Sequence, residues 1–468
     1  MVPRSALETE RRDATALDDT AALSDLAQHF RGALIGPGDT QYDAARAIWN
    51  GAIDRHPRLI ARCTGVADVQ QALNFARTSR IMVSVRGGGH GAPGYGTNDG
   101  GLVIDLSPMK GIHVDPGTRT ARAQGGVLWR ELDHETQAFG LATTGGTVSN
   151  TGIGGLTLGG GLGWLMGKHG LTVDNLISAD VVTADGQFKK ASATENPDLF
   201  WALRGGGGNF GIVTSFEYRL HPVTQVLGGL VIYPLDQARE VLRFYRDFCP
   251  GLPDEAEAYC GLLTSPEGMP VFALILGHNG PVEEGEKVLA PARRFGRPAA
   301  DLVGPMPYRT RQMMLDEPNA THGLHRYWRS AFTEQISDRM IDVLVENAAS
   351  FTSPLSALIF FYMHGAATRV PPTETAFAAR RPQWDFDAIG QWTDGAQSAE
   401  HIAWVRALWS QLEPHLEGSA YVNHLAEDDR PEKVRASFGE NYGRLRQLKA
   451  VYDPTNLFRI NANIAPAG

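Results

Sequence analysis

Residues 81–106 read IMVSVRGGGHGAPGYGTNDGGLVIDL. Ile81, Val83 and Val85 make a β-branched, apolar run, which predicts a strand entering a loop. The loop, Arg86-Gly87-Gly88-Gly89-His90-Gly91, sets one imidazole among residues with almost no side chain. Leu102 to Leu106 predicts a second strand leaving it. Two later stretches repeat the theme: residues 145–163, GGTVSNTGIGGLTLGGGLG, and residues 205–211, GGGGNFG. Loops of this kind bring backbone N–H groups close to a phosphate or a flat ring, because no Cβ stands in the way.

Two stretches match G-x-G-x-x-G, Gly89–Gly94 and Gly206–Gly211. A dinucleotide fingerprint must open a helix, since the pyrophosphate sits at the helix N-terminus. YGTNDGGLVIDL follows the first match and IVTSFEYRL the second, and both read as turn or strand. That excludes a Rossmann site. A lone histidine is more often a structural hydrogen-bonder than a functional group, but the open space around His90 favours function.

Upstream, Asp19-Thr20 predicts the cap of a helix reaching about Leu34, after a flexible tail over residues 1–18. His56 to Ile60 leads into a strand, and Val69, Leu73 and Ala76 place a helix over Ala67 to Arg80. Downstream, a helix is expected over Leu128 to Gly140, and a hairpin turns at Ala184-Asp185-Gly186. A short helix over Pro197 to Leu203 precedes a strand over Ile212 to Leu220. Composition shifts at His221-Pro222. From Val223 to about Leu416, strand-like runs (227–233, 271–276, 355–362) alternate with helix-like ones (235–248, 337–348, 399–413), which predicts an antiparallel sheet with helices. Tyr421-Val422-Asn423 reads as a strand and Pro431 to Val451 as a helix.

The chain has 468 residues, room for more than one folding unit. Its 53 glycines exceed the usual share of roughly 7% and cluster in the loops above. A formal charge of -9 argues against nucleic acid or an anionic membrane as partner. Cys63, Cys249 and Cys260 are an odd count without CxxC, so neither a disulfide framework nor a zinc site is indicated. The charged N-terminus lacks an apolar signal segment and no run is long enough to span a membrane, so a cytoplasmic protein is expected.

Arg86 to His90 after a strand, followed by GYGTNDGGLVIDL, resembles the flavin-attachment loop of the vanillyl-alcohol oxidase superfamily, and within it the berberine-bridge-enzyme-like FAD-linked oxidases. Residues 145–163 and 205–213 resemble that family's second and third FAD loops. Asn441 to Leu445, Tyr452-Asp453-Pro454 and Asn461 to Pro466 resemble its C-terminal region. A bacterial cyclic-amine oxidase of the family looks close through the first loop. The resemblance implies an α+β fold: a PCMH-type two-lobed FAD-binding domain (19–222 and 417–468) with an inserted antiparallel-sheet substrate domain (223–416). It implies FAD joined through its 8α-methyl group to His90. It also implies cofactor contacts from Arg86, Gly87, Gly88, Gly89, Gly91, Tyr95 and Asn98 in the first loop. Gly145, Gly146, Thr147, Val148, Thr151, Gly152, Gly154 and Gly155 would add theirs from the second, and Gly211, Val213, Asn423, Asn461 and Asn463 from later segments.

Many members add a second bond from a cysteine at the position of Val148, so a single link through His90 is expected here. Thr151 occupies the position thought to gate dioxygen and is small. Tyr421-Val422-Asn423-His424 matches the family's Tyr-x-Asn-Tyr except in its last residue. Tyr421 is either a core aromatic or a proton acceptor; a phenol titrates near 10 and needs help to act as a base. His424 can supply that help or be the base itself. The expected chemistry is hydride transfer from an alcohol to flavin N5, with dioxygen reduced to hydrogen peroxide. A cyclic amine substrate, a non-oxygen electron acceptor and a non-catalytic flavin carrier stay open as alternatives. His169, Trp328, Arg329, Tyr362 and His364 are weaker site candidates.

Overall fold

Val83–Arg86 and Leu102–Asp105 are parallel strands, with Arg86 opposite Asp105. The computed structural model describes residues 21–468. The expected tail and the cap at Asp19-Thr20 lie outside the described residues. These two strands belong to a four-stranded sheet ordered Ala33–Ile35, Leu59–Arg62, Leu102–Asp105, Val83–Arg86. Helix Val66–Thr78 covers it, burying Val69, Ala72, Leu73 and Ala76 at helical spacing. The first described helix ends at residue 29, short of the expected Leu34. Leu34 is in a strand instead, where Gly32 passes so close to Arg62 that a Cβ would sit 1.9 Å from its carbonyl oxygen.

A five-stranded antiparallel sheet follows, ordered Ile112–Asp115, Thr120–Gln124, Ile212–Arg219, Leu176–Val182, Phe188–Ser192. Ile212–Arg219 is inserted between earlier strands, so the glycine stretch before it returns beside the first loop. The hairpin and helix Pro197–Leu203 form where expected.

The second lobe is an eight-stranded antiparallel sheet. Its main path runs Ala300–Asp301, Gln225–Pro234, Pro270–His278, Ala256–Thr264, Ala357–Met363, Gln383–Trp392, His325–Thr333. Alternate residues face opposite layers. Trp384, Phe386, Ala388, Leu358 and Phe360 join a core under helices Ala238–Phe248, Asp338–Ala348 and Ser398–Leu412. Ile389, Ile359, Phe361 and Met363 turn the other way, into a core shared with Trp164, Leu165 and Tyr421 of the first lobe. The fold is α+β.

Two further expected elements differ. Tyr421-Val422-Asn423 is not a strand: Val422–His424 is one 3-10 turn, closed by the His424 N–H donating to the Tyr421 carbonyl at 2.9 Å. The helix expected over Pro431 to Val451 is two, Pro431–Ser437 and Tyr442–Tyr452, broken at Gly439, whose φ is +53°. Among the described residues no helix is long and apolar enough to cross a membrane.

Candidate active site

A cavity of about 330 Å³ lies between the lobes, walled by all three glycine loops, Asn461 and the second-lobe residues Trp328 and Phe361. The first loop is anchored where its strand ends. Arg86 Nη2 donates to Asp105 Oδ2 at 2.8 Å, and both side chains are buried. Gly89, at φ +65°, then turns the chain. Gly88 and Gly152 touch backbone to backbone: a Cβ on Gly88 would lie 2.5 Å from the Gly152 nitrogen. This approach holds the first and second loops together. His90 lines the cavity with its ring stacked on Trp49, centroids 4.1 Å apart. Its Nε2 is buried without a partner. Burial first, then the charge of Arg326, pulls its pKa down to about 3, so the imidazole is neutral at physiological pH.

Arg86, Gly87, Gly88, Gly89, Gly91, Tyr95, Thr147, Val148, Thr151, Gly152, Gly154, Gly155, Gly211, Val213, Asn423 and Asn461 line the same cavity, as do Tyr421 and His424. Four expected contacts lie outside its wall. The Asn98 side chain is consumed locally, donating to Ser84 Oγ at 2.9 Å and Leu102 O at 3.0 Å and accepting from Gly101 N–H at 2.8 Å. Gly145 packs on the Trp129 ring, and the Gly146 carbonyl accepts from Gln312 Nε2. Asn463 also stands outside, its Oδ1 without a protein partner. Of the weaker candidates only Trp328 reaches the cavity. His169 stacks on His221, Tyr362 on His364, and Arg329 pairs with Asp428 and Asp429.

The second lobe supplies two residues that the sequence reading overlooked. Asp385 and Asp387 sit two apart on Gln383–Trp392, hence on one face of the sheet, and both are fully buried. His424 Nδ1 lies 3.0 Å from Asp385 Oδ2 and 3.1 Å from Asp387 Oδ2. Burial disfavours the charged imidazole, but Asp387 and Asp385 outweigh it and push the pKa up to about 10. Burial and the neighbouring Asp387 in turn raise Asp385 above the usual carboxylate range. Alternation over Gln383 to Ala388, with both aspartates opposite the apolar face, was the available signal.

Tyr421 contacts His424 edge-on, with centroids 4.8 Å apart. Its oxygen accepts from Gly161 N–H at 2.9 Å and Asn423 Nδ2 at 2.7 Å. Burial nevertheless holds the phenol proton well above the ordinary range, with those donors working against it. Tyr421 is therefore a hydrogen-bond donor to the cavity in this state, and His424 keeps its proton at neutral pH and becomes the cavity's proton acceptor as the pH rises toward about 10. The 3-10 turn makes this possible. In a strand, Asn423 and His424 would face opposite sides; in the turn, both reach the cavity with Tyr421. Asn423 also needs Gly159, where a Cβ would lie 2.2 Å from its Oδ1.

The cavity fits an extended, flat cofactor such as FAD. Glycine leaves open backbone along it at Gly155, where a Cβ would meet nothing within 4 Å. The unpartnered atoms His90 Nε2 and Asn461 Oδ1 belong to lining residues. Lys449, fully buried, ties the third loop to the C-terminal segment by donating to Asn209 O and Phe458 O, both at 2.8 Å.

Comparison with known proteins agrees. A family model described as FAD binding domain matches residues 57–192, and one described as berberine and berberine like matches residues 420–465. An FAD-linked oxidoreductase of Dictyostelium discoideum is 31% identical over 451 residues, 96% of this chain and 97% of that one. The crystal structure of 6-hydroxy-D-nicotine oxidase from Arthrobacter nicotinovorans superposes with a TM-score of 0.85 at 31% identity, covering 94% of this chain and 98% of that one. The glucooligosaccharide oxidase of Acremonium strictum shares the fold, with a TM-score of 0.86 at 24% identity over 96% and 99% of the two chains. With its glycine loops, histidine and C-terminal segment gathered on one cavity, the chain belongs to the berberine-bridge-enzyme-like FAD-linked oxidoreductases.

Proposed function

We propose that this protein is an oxidase that takes two electrons from an alcohol of a sugar, glycoside or secondary metabolite and delivers them to dioxygen, giving hydrogen peroxide. The observation that carries the reading is His424, held between Asp385 and Asp387 in the cavity wall. An alcohol O–H must lose its proton as the C–H hydride leaves, whereas a neutral amine can give up hydride without a base. Bound FAD supplies the two-electron acceptor, taking hydride at N5. His424 turns Nδ1 to the carboxylates, leaving its other ring nitrogen to take the hydroxyl proton. The paired carboxylates stabilise the imidazolium that forms, as the buried aspartate does in a hydrolase triad. Tyr421, its oxygen already accepting two N–H groups, donates its own proton to the substrate oxygen and orients it.

The lining glycines, Val213 and Asn461 would hold FAD, and His90 would bond to its 8α-methyl group. In that linkage an N–C bond forms as the imidazole N–H and one methyl C–H are lost. The bound flavin would supply the oxidising power for that bond, with dioxygen as the final acceptor of the electron pair. Val148 lines the cavity where many relatives carry cysteine, and Cys63, Cys249 and Cys260 are buried away from it, which supports a single tether. The cytoplasmic location expected from the N-terminal sequence belongs to the same proposal and is checked by cell fractionation.

A second reading, oxidation of a cyclic amine, draws on the two carboxylates, which would attract a cationic amine, and on the similarity to 6-hydroxy-D-nicotine oxidase. A peroxide screen over alcohols and amines separates the two. The first reading expects peroxide from alcohols and a loss of about 10²–10⁴ in kcat/KM for His424→Gln. Turnover of amines alone, or flavin that alcohols reduce but air does not reoxidise, would overturn it. Acid precipitation tests the tether: yellow colour in the supernatant would mean that FAD is not covalently held.

A further inference from the structure

Arg326 is 3% exposed, yet among the described residues no carboxylate lies within ion-pair distance of it. Its guanidinium donates only to neutral acceptors: Gln391 Oε1 at 2.6 Å, Trp49 O at 2.8 Å, Leu324 O at 3.1 Å and Thr321 O at 2.6 Å. A buried cation without a counter-charge costs several kcal/mol, so a fold that keeps one has a use for it. The guanidinium carbon stands 3.6 Å from the centre of the Trp49 ring, and the His90 ring is stacked on the same indole at 4.1 Å. Two groups so close over one ring centre cannot share a face. Trp49 is therefore sandwiched, with Arg326 of the second lobe on one side and His90 of the first on the other.

The sandwich is tied at each level. Trp49 N–H donates to Gly89 O at 3.1 Å, and the indole N–H to Asn319 O at 2.7 Å. Asn50 bridges the lobes, donating to Ala92 O in the His90 loop at 2.8 Å while its Oδ1 accepts the Arg326 backbone N–H at 2.9 Å. We propose that Arg326, acting through Trp49, is a positioning residue for the joining of FAD to His90. This rests on the covalent tether proposed above. Linkage needs a nitrogen lone pair on a ring of fixed orientation; a protonated imidazole has none to give at that nitrogen. The stack fixes the plane, and the cation behind the indole opposes a proton on the ring. Because Arg326 lies in the sheet of the second lobe, the stack that positions His90 is complete only across both lobes.

The experiment uses the full chain purified from FAD-replete cells, measuring total flavin per chain and the acid-stable fraction during incubation with excess FAD. Wild type is compared with Arg326→Met, Arg326→Lys and Trp49→Leu. Arg326→Met should bind FAD yet join it at least about tenfold more slowly, as a misplaced reactant does. Arg326→Lys, which keeps a cation over the indole, should restore most of the rate; a merely structural role predicts no such rescue. Linkage in Arg326→Met at the wild-type rate, or no advantage of lysine over methionine, overturns the inference and leaves the tether standing. If Arg326→Met retains no flavin, Trp49→Leu decides: slow linkage supports the stack, and wild-type linkage refutes it. Absence of acid-stable flavin in wild type instead refutes the tether itself.

Discussion

Replacing Asp387 by asparagine should move the pH dependence of substrate oxidation toward acid. His424 Nδ1 lies 3.1 Å from Asp387 Oδ2 and 3.0 Å from Asp385 Oδ2. Burial alone would leave the ring less basic than usual; the carboxylates, Asp387 the stronger, reverse this and hold it at about 10 against an ordinary 6.5. A unit charge at that separation attracts by about 5 kcal/mol at an effective dielectric of about 20. At about 1.4 kcal/mol per pH unit, this corresponds to at most about four pH units. Asparagine keeps the shape and removes the charge, so a fall of two or more pH units is expected. A base must be unprotonated to act. For wild type, kcat/KM for an alcohol should therefore climb with pH and level off near 10. In Asp387→Asn the climb should end near neutrality, on a lower plateau because the base is weaker. Anaerobic stopped-flow flavin reduction from about pH 5.5 to 10.5, with an alcohol that yields peroxide, reads both curves. Identical inflections would refute His424 as the proton acceptor and the aspartates as the source of its basicity.

Gly88→Ala should abolish FAD retention, because its Cβ would lie 2.5 Å from the Gly152 nitrogen and force the two loops apart; flavin absorbance of the purified variant checks this. Lys449→Met should lower stability by about 3–5 kcal/mol, since it strands the buried Asp453 carboxylate, now 2.7 Å from Lys449 Nζ; denaturant titration reads the change. Asp133 is buried, its Oδ2 has no partner, and burial pushes its pKa up to about 8 from 3.8. Between those values the unfolded carboxyl has lost its proton and the folded one has kept it, so wild type loses stability as pH rises from about 4 to 8. Asp133→Asn has no proton to lose. Its melting temperature should exceed that of wild type at pH 8 and above, and the two should converge toward pH 4.

The first lobe was legible because its constraints are local. Val83 and Val85 announce a strand, and Pro197 fixes the start of its helix. The missing helix after Gly94 already excluded a Rossmann site. The second lobe hid its chemistry in tertiary context. Asp385 and Asp387 alternate with Trp384 and Phe386, a pattern that in isolation suits a strand with one wet face, yet the first lobe covers that face and leaves both carboxylates fully buried. Tyr421 and Val422 raise strand propensity at Val422–His424, which is a turn in the structure because the pull of Asp385 and Asp387 on His424 is a long-range contact. Asn98 shows the opposite error. It sits in the loop that suggested a cofactor contact, but its short side chain satisfies the backbone of its own turn.

On the proposed mechanism the two lobes carry different halves of the reaction, and the residue types of each explain the division. Close backbone approach and an aspartate-held histidine are incompatible demands on one segment: the first needs residues without side chains, the second needs long side chains rigidly packed. The glycine loops meet the first demand, with Gly88 and Gly152 in backbone contact. The second-lobe sheet meets the other, burying Asp385 and Asp387 on one strand whose reverse face is locked by Trp384 and Phe386. The segments that must serve both lobes are short. Val422–His424 brings Asn423 against Gly159 of the second loop and His424 against the aspartates within a single turn. Trp49 lies between Arg326 and His90 in the same manner. Substitutions at these joints should therefore disturb cofactor state and proton transfer together, whereas changes in the packed cores that touch neither the cavity nor its aspartates should alter stability alone. A joint variant such as Asn423→Ala that lowered turnover while leaving both the flavin spectrum and the pH profile unchanged would contradict this division.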